Sequence, residues 1–88
     1  MISKEVIIQN ASGVHARPAA TFVKLANRFK AEIFVEKAGH RINGKSIMGL
    51  MMLALTQGAK IQVIADGEDE DTAVEKLTTL VENGFQTV

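Results

Sequence analysis

Two stretches of the chain carry apolar residues at the three- and four-residue spacing of an amphipathic helix. The first begins at Ala16 and is predicted to end at Asn27-Arg28. Pro18 fits its first turn, because the N–H groups there have no partner within the helix to lose. The apolar positions of this stretch are Ala19, Phe22, Val23, Ala26 and Phe29. One face of the predicted helix therefore needs a partner to cover it.

The second helical stretch follows a turn at Asp66-Gly67 and has the clearest boundaries. Acidic residues from Glu68 to Asp71 lie at its start, where the helix dipole favours negative charge. We expect this acidic segment to be solvated. A stop is predicted at Asn83-Gly84. The apolar stripe of this helix is Val74, Leu77, Leu80 and Val81.

Four shorter segments have the β-branched composition or the alternation of β-strands. They are Val6–Ile8, Ile33–Glu36, Arg41–Asn43 and Ile61–Ala65. Ala38-Gly39 supplies a turn between the second and third strands, and a short apolar helix from Ile47 to about Leu53 precedes the fourth. The simplest way to bury the apolar stripes is one open sheet with the helices packed on a single face.

Composition narrows the class of protein further. We expect one domain over residues 1–88, because a chain this short buries only about 60% of its unfolded surface. Ten basic residues cancel ten acidic ones, which argues against nucleic acid as the main partner. There is no cysteine, so disulfides, thiolate metal sites and cysteine nucleophiles are excluded. No signal peptide or membrane-spanning run is visible, and we expect a cytoplasmic protein without a membrane partner.

The segment Gly13–Ala20, with the sequence GVHARPAA, carries the candidate chemistry. It places His15 at the start of the first predicted helix and Arg17 two residues later. The N–H groups of a first helical turn lack intrahelical partners and form an anion site. A guanidinium adds donors in a planar fork that matches phosphate oxygens. These features suit an imidazole nucleophile that accepts a phosphoryl group and then gives it away.

Other interpretations of His15 are open at this point. One is a purely structural histidine in a regulatory binding module that performs no phosphotransfer. A hydrolytic triad is disfavoured, because no acid is evident nearby and the spacing from Ser12 to His15 does not establish a hydrogen bond. A metal site is disfavoured because His40 is the only other histidine and zinc-ligand spacings are absent. We expect His40 to lie at a hairpin turn without a further role, and we expect no metal or cofactor.

Ser46 begins the short apolar helix, and serine is a preferred N-cap. Capping alone is a sufficient explanation of this residue. A phosphate on Ser46 would nevertheless sit at the positive end of the helix and need not unfold it. The helix also contains Met48, Met51 and Met52, and it is too short to bury every face. Exposed methionines suit a surface that meets several partners.

Together, Gly13–Ala19 (GVHARPA) and Lys45–Met51 (KSIMGLM) resemble the two site motifs of the HPr family. These proteins are the histidine-containing phosphocarriers of the bacterial phosphoenolpyruvate:sugar phosphotransferase system. The resemblance extends over essentially the whole chain. It implies an α+β fold, an open-faced β-sandwich with a four-stranded antiparallel sheet and three helices on one face. It also implies a stoichiometric phosphoryl carrier rather than an enzyme.

The resemblance assigns roles to particular residues. His15 would accept phosphoryl on Nδ1 from phospho-enzyme I and donate it to the A domains of sugar permeases. Arg17 would stabilise the phosphoryl group during these transfers. The docking surface expected for these partners consists of Ala16, Ala20, Ile47, Met48 and Met51. We expect a monomer.

Ser46 matches the regulatory serine that an ATP-dependent HPr kinase/phosphorylase modifies in many bacteria, and a transcriptional regulator is a further expected partner. The sequence Ile47-Met48-Gly49 after it is the form typical of lineages with that kinase. The presence of His15 excludes the regulatory paralogue that lacks the active histidine. A nitrogen-type paralogue, which serves regulation rather than sugar uptake, stays open because Asn83-Gly84-Phe85 resembles that branch.

Overall fold

The structure, a computed structural model described over residues 1–86, contains the seven predicted elements in the predicted order. The strands are β1 Ile2–Ile7, β2 Glu32–Lys37, β3 His40–Asn43 and β4 Lys60–Asp66. The helices are α1 Ala16–Ala26, α2 Ile47–Met52 and α3 Glu70–Glu82. Within residues 1–86, no helix has both the length and the apolar character needed to cross a bilayer.

The four strands form one antiparallel sheet in the order β1-β4-β2-β3. Pairing sets Ile33 opposite Ala65 and Val35 opposite Val63, so buried side chains of the two central strands share one face. Buried side chains of all three helices belong to the same hydrophobic cluster. The fold is therefore the expected open-faced β-sandwich of class α+β, with its core between the sheet and the helices.

β1 starts earlier than the sequence predicts. Its backbone pairing with β4 begins at Ile2, and the residues from Ser3 to Glu5 are exposed. An edge strand is held by backbone hydrogen bonds to one neighbour, so it needs no continuous apolar pattern. Ile8, predicted as part of this strand, lies just beyond its end and is fully buried in the core.

α1 ends at Ala26, with Asn27 as its C-cap, at the predicted place. Phe29 lies on the predicted apolar stripe but beyond the end of the helix. Its side chain is still partly buried against the core. The helical spacing therefore identified the buried face correctly, although its last apolar position lies beyond the end of the helix.

α3 ends in a Schellman motif, which agrees with the predicted stop. The Phe85 N–H donates to Leu80 O at 2.8 Å, and the Gly84 N–H donates to Val81 O at 3.0 Å. Gly84 has a φ of +68°, a left-handed conformation that favours glycine. The motif turns the chain back, and the Phe85 side chain is buried in the core.

The acidic segment before α3 binds another part of the chain, which differs from the predicted solvated helix start. Asp69 is the N-cap residue of α3, but its carboxylate makes no capping bond to that helix. Instead, it accepts the backbone N–H groups of Lys30 and Ala31, each at 2.9 Å. The hydrogen bond from Lys30 is the main cause of a lowered pKa at Asp69. Asp69 therefore ties the start of α3 to the loop before β2.

Candidate functional site

A close contact with the segment after α2 holds the loop before His15. Gly13 has a φ of +70°, and a Cβ on it would lie 2.6 Å from the Leu55 carbonyl oxygen. The Val14 N–H donates to the same oxygen at 2.8 Å. Within the loop, the Gly13 N–H donates to Asn10 O at 3.0 Å, and the Asn10 side-chain amide donates to Gly13 O. His15 therefore starts α1 from a well-fixed loop.

His15 is the N-cap residue of α1, and its side chain is exposed and makes no capping hydrogen bond. Its backbone is extended, and its carbonyl oxygen accepts the Ala19 N–H at 3.0 Å. Nε2 lies 3.5 Å from Ser12 Oγ, at the outer limit of a hydrogen bond. Within residues 1–86, Nδ1 has no hydrogen bond and no carboxylate bonds to the ring. Ser12 and His15 are therefore in contact, but within residues 1–86 no acid completes a hydrolytic triad with them.

The start of α1 offers free backbone donors next to His15. The N–H groups of Ala16 and Arg17 have no intrahelical acceptor at this end, and neither donates elsewhere within the described residues. Pro18 follows in the same turn and has no N–H. Two adjacent donors are therefore available to an external anion.

His15 and Arg17 line one open depression on the surface. The other lining residues are Asn10, Ser12, Pro18, Thr21, Gly84, Phe85 and Gln86. The structure thus brings the predicted nucleophile and the predicted charge partner together. The contribution of the turn after α3 was missed, because the stop at Asn83-Gly84 located that turn without indicating what lies beside it.

Ser46 caps α2, as predicted. Its Oγ accepts the Gly49 N–H at 3.0 Å, and its backbone is extended. At the other end of the helix, Lys37 Nζ donates to Leu53 O at 3.3 Å and to Ala54 O at 3.0 Å. Both ends of this six-residue helix are therefore held by side-chain hydrogen bonds.

α1 and α2 pack against each other and leave apolar side chains exposed. The α1–α2 surface, as we name it, consists of the five predicted docking residues, all exposed: Ala16, Ala20, Ile47, Met48 and Met51. Met48 is 75% exposed, and Leu50 is the one residue of α2 that is buried. Met52, which the prediction left out, is 79% exposed, the highest value among the large apolar side chains described. The run of methionines was the available signal for it.

His40 lies apart from His15. It begins β3, is exposed, and stands opposite Lys37 in the β2–β3 hairpin. It lines a different groove, together with Ile42 and Met52. The expected hairpin position of His40 is confirmed. Within residues 1–86, no three histidine or carboxylate side chains are grouped as a metal ion would require.

Comparisons with known proteins agree with this fold. A family model described as the PTS HPr component phosphorylation site matches residues 2–83. The chain is 49% identical to the HPr-like protein Crh of Bacillus subtilis, over 93% of this chain and 96% of that protein. It is 43% identical to the phosphocarrier protein HPr of Borreliella burgdorferi, over 94% of this chain and 96% of that one.

Solved structures give the same result. The crystal structure of HPr-C-His from Thermoanaerobacter tengcongensis matches with a TM-score of 0.92 at 42% identity, and the match covers 100% of both chains. A crystal structure of Crh from Bacillus subtilis, an intertwined domain-swapped dimer, matches with a TM-score of 0.78 at 46% identity. That match covers 99% of this chain and 100% of the Crh chain. Relatives at this level of identity carry both names, HPr and Crh.

Proposed function

Because the chain belongs to the HPr family of phosphocarriers of the bacterial phosphotransferase system, we propose that His15 carries the phosphoryl group. It accepts the group from phospho-enzyme I and passes it to the A domains of sugar permeases. One observation carries this assignment: an exposed imidazole at a helix start shares a depression with Arg17 and precedes two backbone N–H groups that have no acceptor within residues 1–86. Such donors suit phosphate oxygens around a nucleophile.

The surroundings of the ring favour Nδ1 as the attacking atom. We assign the ring proton to Nε2, because Ser12 Oγ lies 3.5 Å from that atom and can accept its hydrogen bond, which leaves the Nδ1 lone pair free. Nδ1 attacks phosphorus and forms the new P–N bond, while the bond to the donor's ring nitrogen breaks and its electron pair leaves with the donor imidazole. The Nε2 proton stays on His15. In the next transfer, His15 therefore departs as a neutral imidazole.

Arg17 provides the positive charge for both transfers. It is exposed and forms no salt bridge within the described residues, so no carboxylate there competes with a phosphoryl group. Phosphoryl transfer depends mainly on positioning and on electrostatic stabilisation of the equatorial oxygens. A guanidinium fork beside two backbone donors supplies both.

The openness of the site supports a stoichiometric carrier rather than an enzyme. His15 lies in a surface depression, where a large partner can reach it and supply the walls that exclude water. The α1–α2 surface adjoins this site, because Ala16 follows His15 directly. We assign docking of enzyme I and of the permease domains to this surface.

A second part of the proposal concerns Ser46, as the target of an HPr kinase/phosphorylase. Its hydroxyl is at the positive end of α2, so a phosphate there is electrostatically favourable for the helix. Ile47 and Met48 of the α1–α2 surface follow it directly. The added charge would therefore weaken docking to enzyme I and create a feature that a transcriptional regulator can recognise.

We place this function in a cytoplasmic monomer, because a carrier must present one free α1–α2 surface to successive partners. The Crh relative that forms a domain-swapped dimer makes the oligomeric state worth measuring. Light scattering on the purified chain distinguishes the two states, since the monomer has a mass of 9.5 kDa. A stable dimer would contradict this part of the proposal.

The direct test is incubation with phosphoenolpyruvate and enzyme I, followed by intact mass and acid treatment. One phosphoryl group should appear, and acid should remove it. His15→Ala should abolish labelling while the circular dichroism spectrum stays unchanged. His40→Ala is the matched control and should label normally, because that ring lies in a different groove. Labelling of the His15→Ala protein would refute the assignment.

The structure gives one specific reason to consider a nitrogen-type carrier as the second candidate. Gly84 and Phe85 belong to the segment that resembles that branch, and both line the depression with His15. A partner that docks at this depression would contact them. Parallel assays with sugar-type and nitrogen-type enzyme I distinguish the candidates, because the physiological donor should phosphorylate the chain at a much lower concentration.

A further inference from the structure

The methionines of this chain are all on its surface. They are exposed by 66% at Met1, 75% at Met48, 46% at Met51 and 79% at Met52. Methionine ordinarily fills irregular gaps in a core, but the core here is built from other side chains. Three of the four methionines lie on α2, and two of those belong to the α1–α2 surface. Exposed thioethers are therefore concentrated where partners are proposed to dock.

α2 does not depend on these side chains for its position. Leu50 is the residue that anchors it in the core. The hydrogen bonds from the Gly49 N–H to Ser46 Oγ and from Lys37 Nζ to the last carbonyls hold its two ends. A change in the polarity of the methionines therefore leaves the helix in place while it alters the surface.

We propose that Met48, Met51 and Met52 form an oxidation-sensitive site that controls docking at the α1–α2 surface, an inference that rests on the proposed function. The oxidant is a peroxide. A sulfur lone pair attacks one oxygen of hydrogen peroxide, the S–O bond forms, the O–O bond breaks, and water is released. Sulfur loses two electrons and the peroxide is reduced. Methionine sulfoxide reductases reverse the modification, so the site can act repeatedly.

Oxidation acts on docking rather than on the transfer chemistry. A sulfoxide oxygen is a strong hydrogen-bond acceptor, and covering it with an apolar partner removes its water without a replacement donor. His15 and Arg17 are not changed by this reaction. We therefore expect the concentration for half-maximal transfer to rise by about tenfold, which is about 1.4 kcal/mol, with the rate at saturation unchanged. Met48 and Met52 should react before the less exposed Met51.

The experiment compares the wild-type chain with a variant that carries Met48→Leu, Met51→Leu and Met52→Leu. Leucine keeps the apolar character and the helix propensity but cannot be oxidised by peroxide. Both proteins keep Met1, so oxidation there affects both equally. Each is treated with the same amount of hydrogen peroxide, quenched with free methionine and mapped by peptide mass. Transfer from phospho-enzyme I is then measured over a range of concentrations, before and after reduction by methionine sulfoxide reductases.

The expected result for wild type is a rise in the half-maximal concentration on oxidation and full recovery on reduction. The leucine variant should have the same half-maximal concentration before and after peroxide, whatever its untreated value. Equal transfer by oxidised and untreated wild type would overturn the inference, as would an equal loss in the leucine variant. Loss of the native circular dichroism spectrum on oxidation would show that the methionines are structural, and would overturn it as well. If the untreated wild type accepts no phosphoryl group, the proposed function itself fails, and the inference fails with it.

Discussion

The starts of α1 and α2 share a local geometry but differ in what occupies them. Both N-cap residues, His15 and Ser46, have extended backbones. At α2, the serine hydroxyl accepts a first-turn N–H. At α1, the imidazole accepts none, and within residues 1–86 no acceptor binds the N–H groups of Ala16 and Arg17. One helix start is closed by its own side chain, and the other is left open for an external anion.

This difference shows how a stabilising device and a binding site arise from the same backbone. A capping side chain stabilises a helix by satisfying its end, and in doing so it occupies the anion site. α1 lacks a capping hydrogen bond from His15, so its anion site stays accessible. The start of α3 is a third case, because Asp69 directs its carboxylate to Lys30 and Ala31 instead of to its own helix.

The open start of α1 is tested most strongly by Arg17→Lys. Lysine keeps the charge but loses the planar fork. Loss of one charge-assisted hydrogen bond, about 1.5–3 kcal/mol, should slow phosphoryl transfer to His15 by about 10- to 150-fold. Stopped-flow or quenched-flow measurement of phosphoryl transfer from phospho-enzyme I gives this rate. Arg28→Lys is the control, because Arg28 is exposed beyond the other end of α1. Wild-type transfer by Arg17→Lys would show that charge alone is sufficient.

The closed start of α2 is tested by Ser46→Asp. The charge adjoins Ile47 and Met48, so transfer at subsaturating concentrations should fall by about tenfold, a loss of about 1.4 kcal/mol in docking. Thermal unfolding should be unchanged or slightly raised, since a helix start favours negative charge. Ser3→Asp in the exposed part of β1 is the control. Undiminished transfer would place Ser46 outside the docking surface. A lower unfolding temperature for Ser46→Asp would contradict the expectation that the start of α2 tolerates a negative charge.

Asp69→Asn tests the third helix start through its pH dependence. The pKa of Asp69 is lowered, first by the Lys30 hydrogen bond, so the folded state holds this carboxylate deprotonated more strongly than the unfolded chain does. Its stabilisation is therefore complete above the unfolded pKa and is lost as pH falls through the folded pKa. An asparagine side chain at this position has one neutral oxygen, so it cannot offer charged acceptors to both N–H groups. The variant should have a lower free energy of unfolding than wild type at neutral pH, and this deficit should become smaller in acid.

Urea unfolding at several pH values measures this effect. We expect it to exceed the loss from removing the single Ser46 bond, because two backbone donors lose a charged acceptor. Asp71→Asn is the control, since Asp71 is exposed in the first turn of the same helix. The free energies of unfolding of Asp69→Asn and wild type should converge at acidic pH. A constant difference between them would contradict the role of ionisation.

The smallest expected effects are changes in the free energy of unfolding, and they have opposite signs at the starts of α1 and α2. Ser46→Ala should lower the free energy of unfolding by about 1 kcal/mol, because the Gly49 N–H loses its acceptor. His15→Ser should raise it by about 0.5 kcal/mol, since a hydroxyl can now accept a free N–H of α1. The gain is limited because Pro18 has no N–H to donate. Chemical denaturation of both variants provides the values. A loss of stability in His15→Ser would show that α1 already has its best cap.

Local chemistry accounts for what the sequence predicted well. Apolar spacing located the helices, and serine before an apolar run located the cap of α2. The position of His15 and Arg17 at a helix start was predicted because Pro18 follows them in a first helical turn. Most of β1 was not predicted, because the residues from Ser3 to Glu5 are polar and exposed. The backbone hydrogen bonds of an edge strand do not require an apolar side-chain pattern.

Contacts between distant segments account for what was missed. Asp69 bonds to residues 38 and 39 positions earlier in the chain, and no local pattern encodes such a partner. Gly84 and Phe85 reach the His15 depression only because α3 packs beside α1. Met52 was left out of the predicted docking surface, although it belongs to the same run of methionines. The assigned roles of His15, Arg17 and Ser46 stay predictions until transfer is measured.

The tight fit of Gly13 against Leu55 has a consequence for the speed of exchange between partners. The loop has no room for a Cβ at Gly13, and the Val14 N–H is bonded to the Leu55 carbonyl, so the shape that precedes His15 exists before any partner arrives. A partner does not have to order this loop as it associates, which lowers the entropy cost of each encounter. Brief, repeated visits by different proteins can then be productive without tight binding, and weak binding lets each one leave quickly. The close fit at Gly13 thus favours high turnover in the proposed relay.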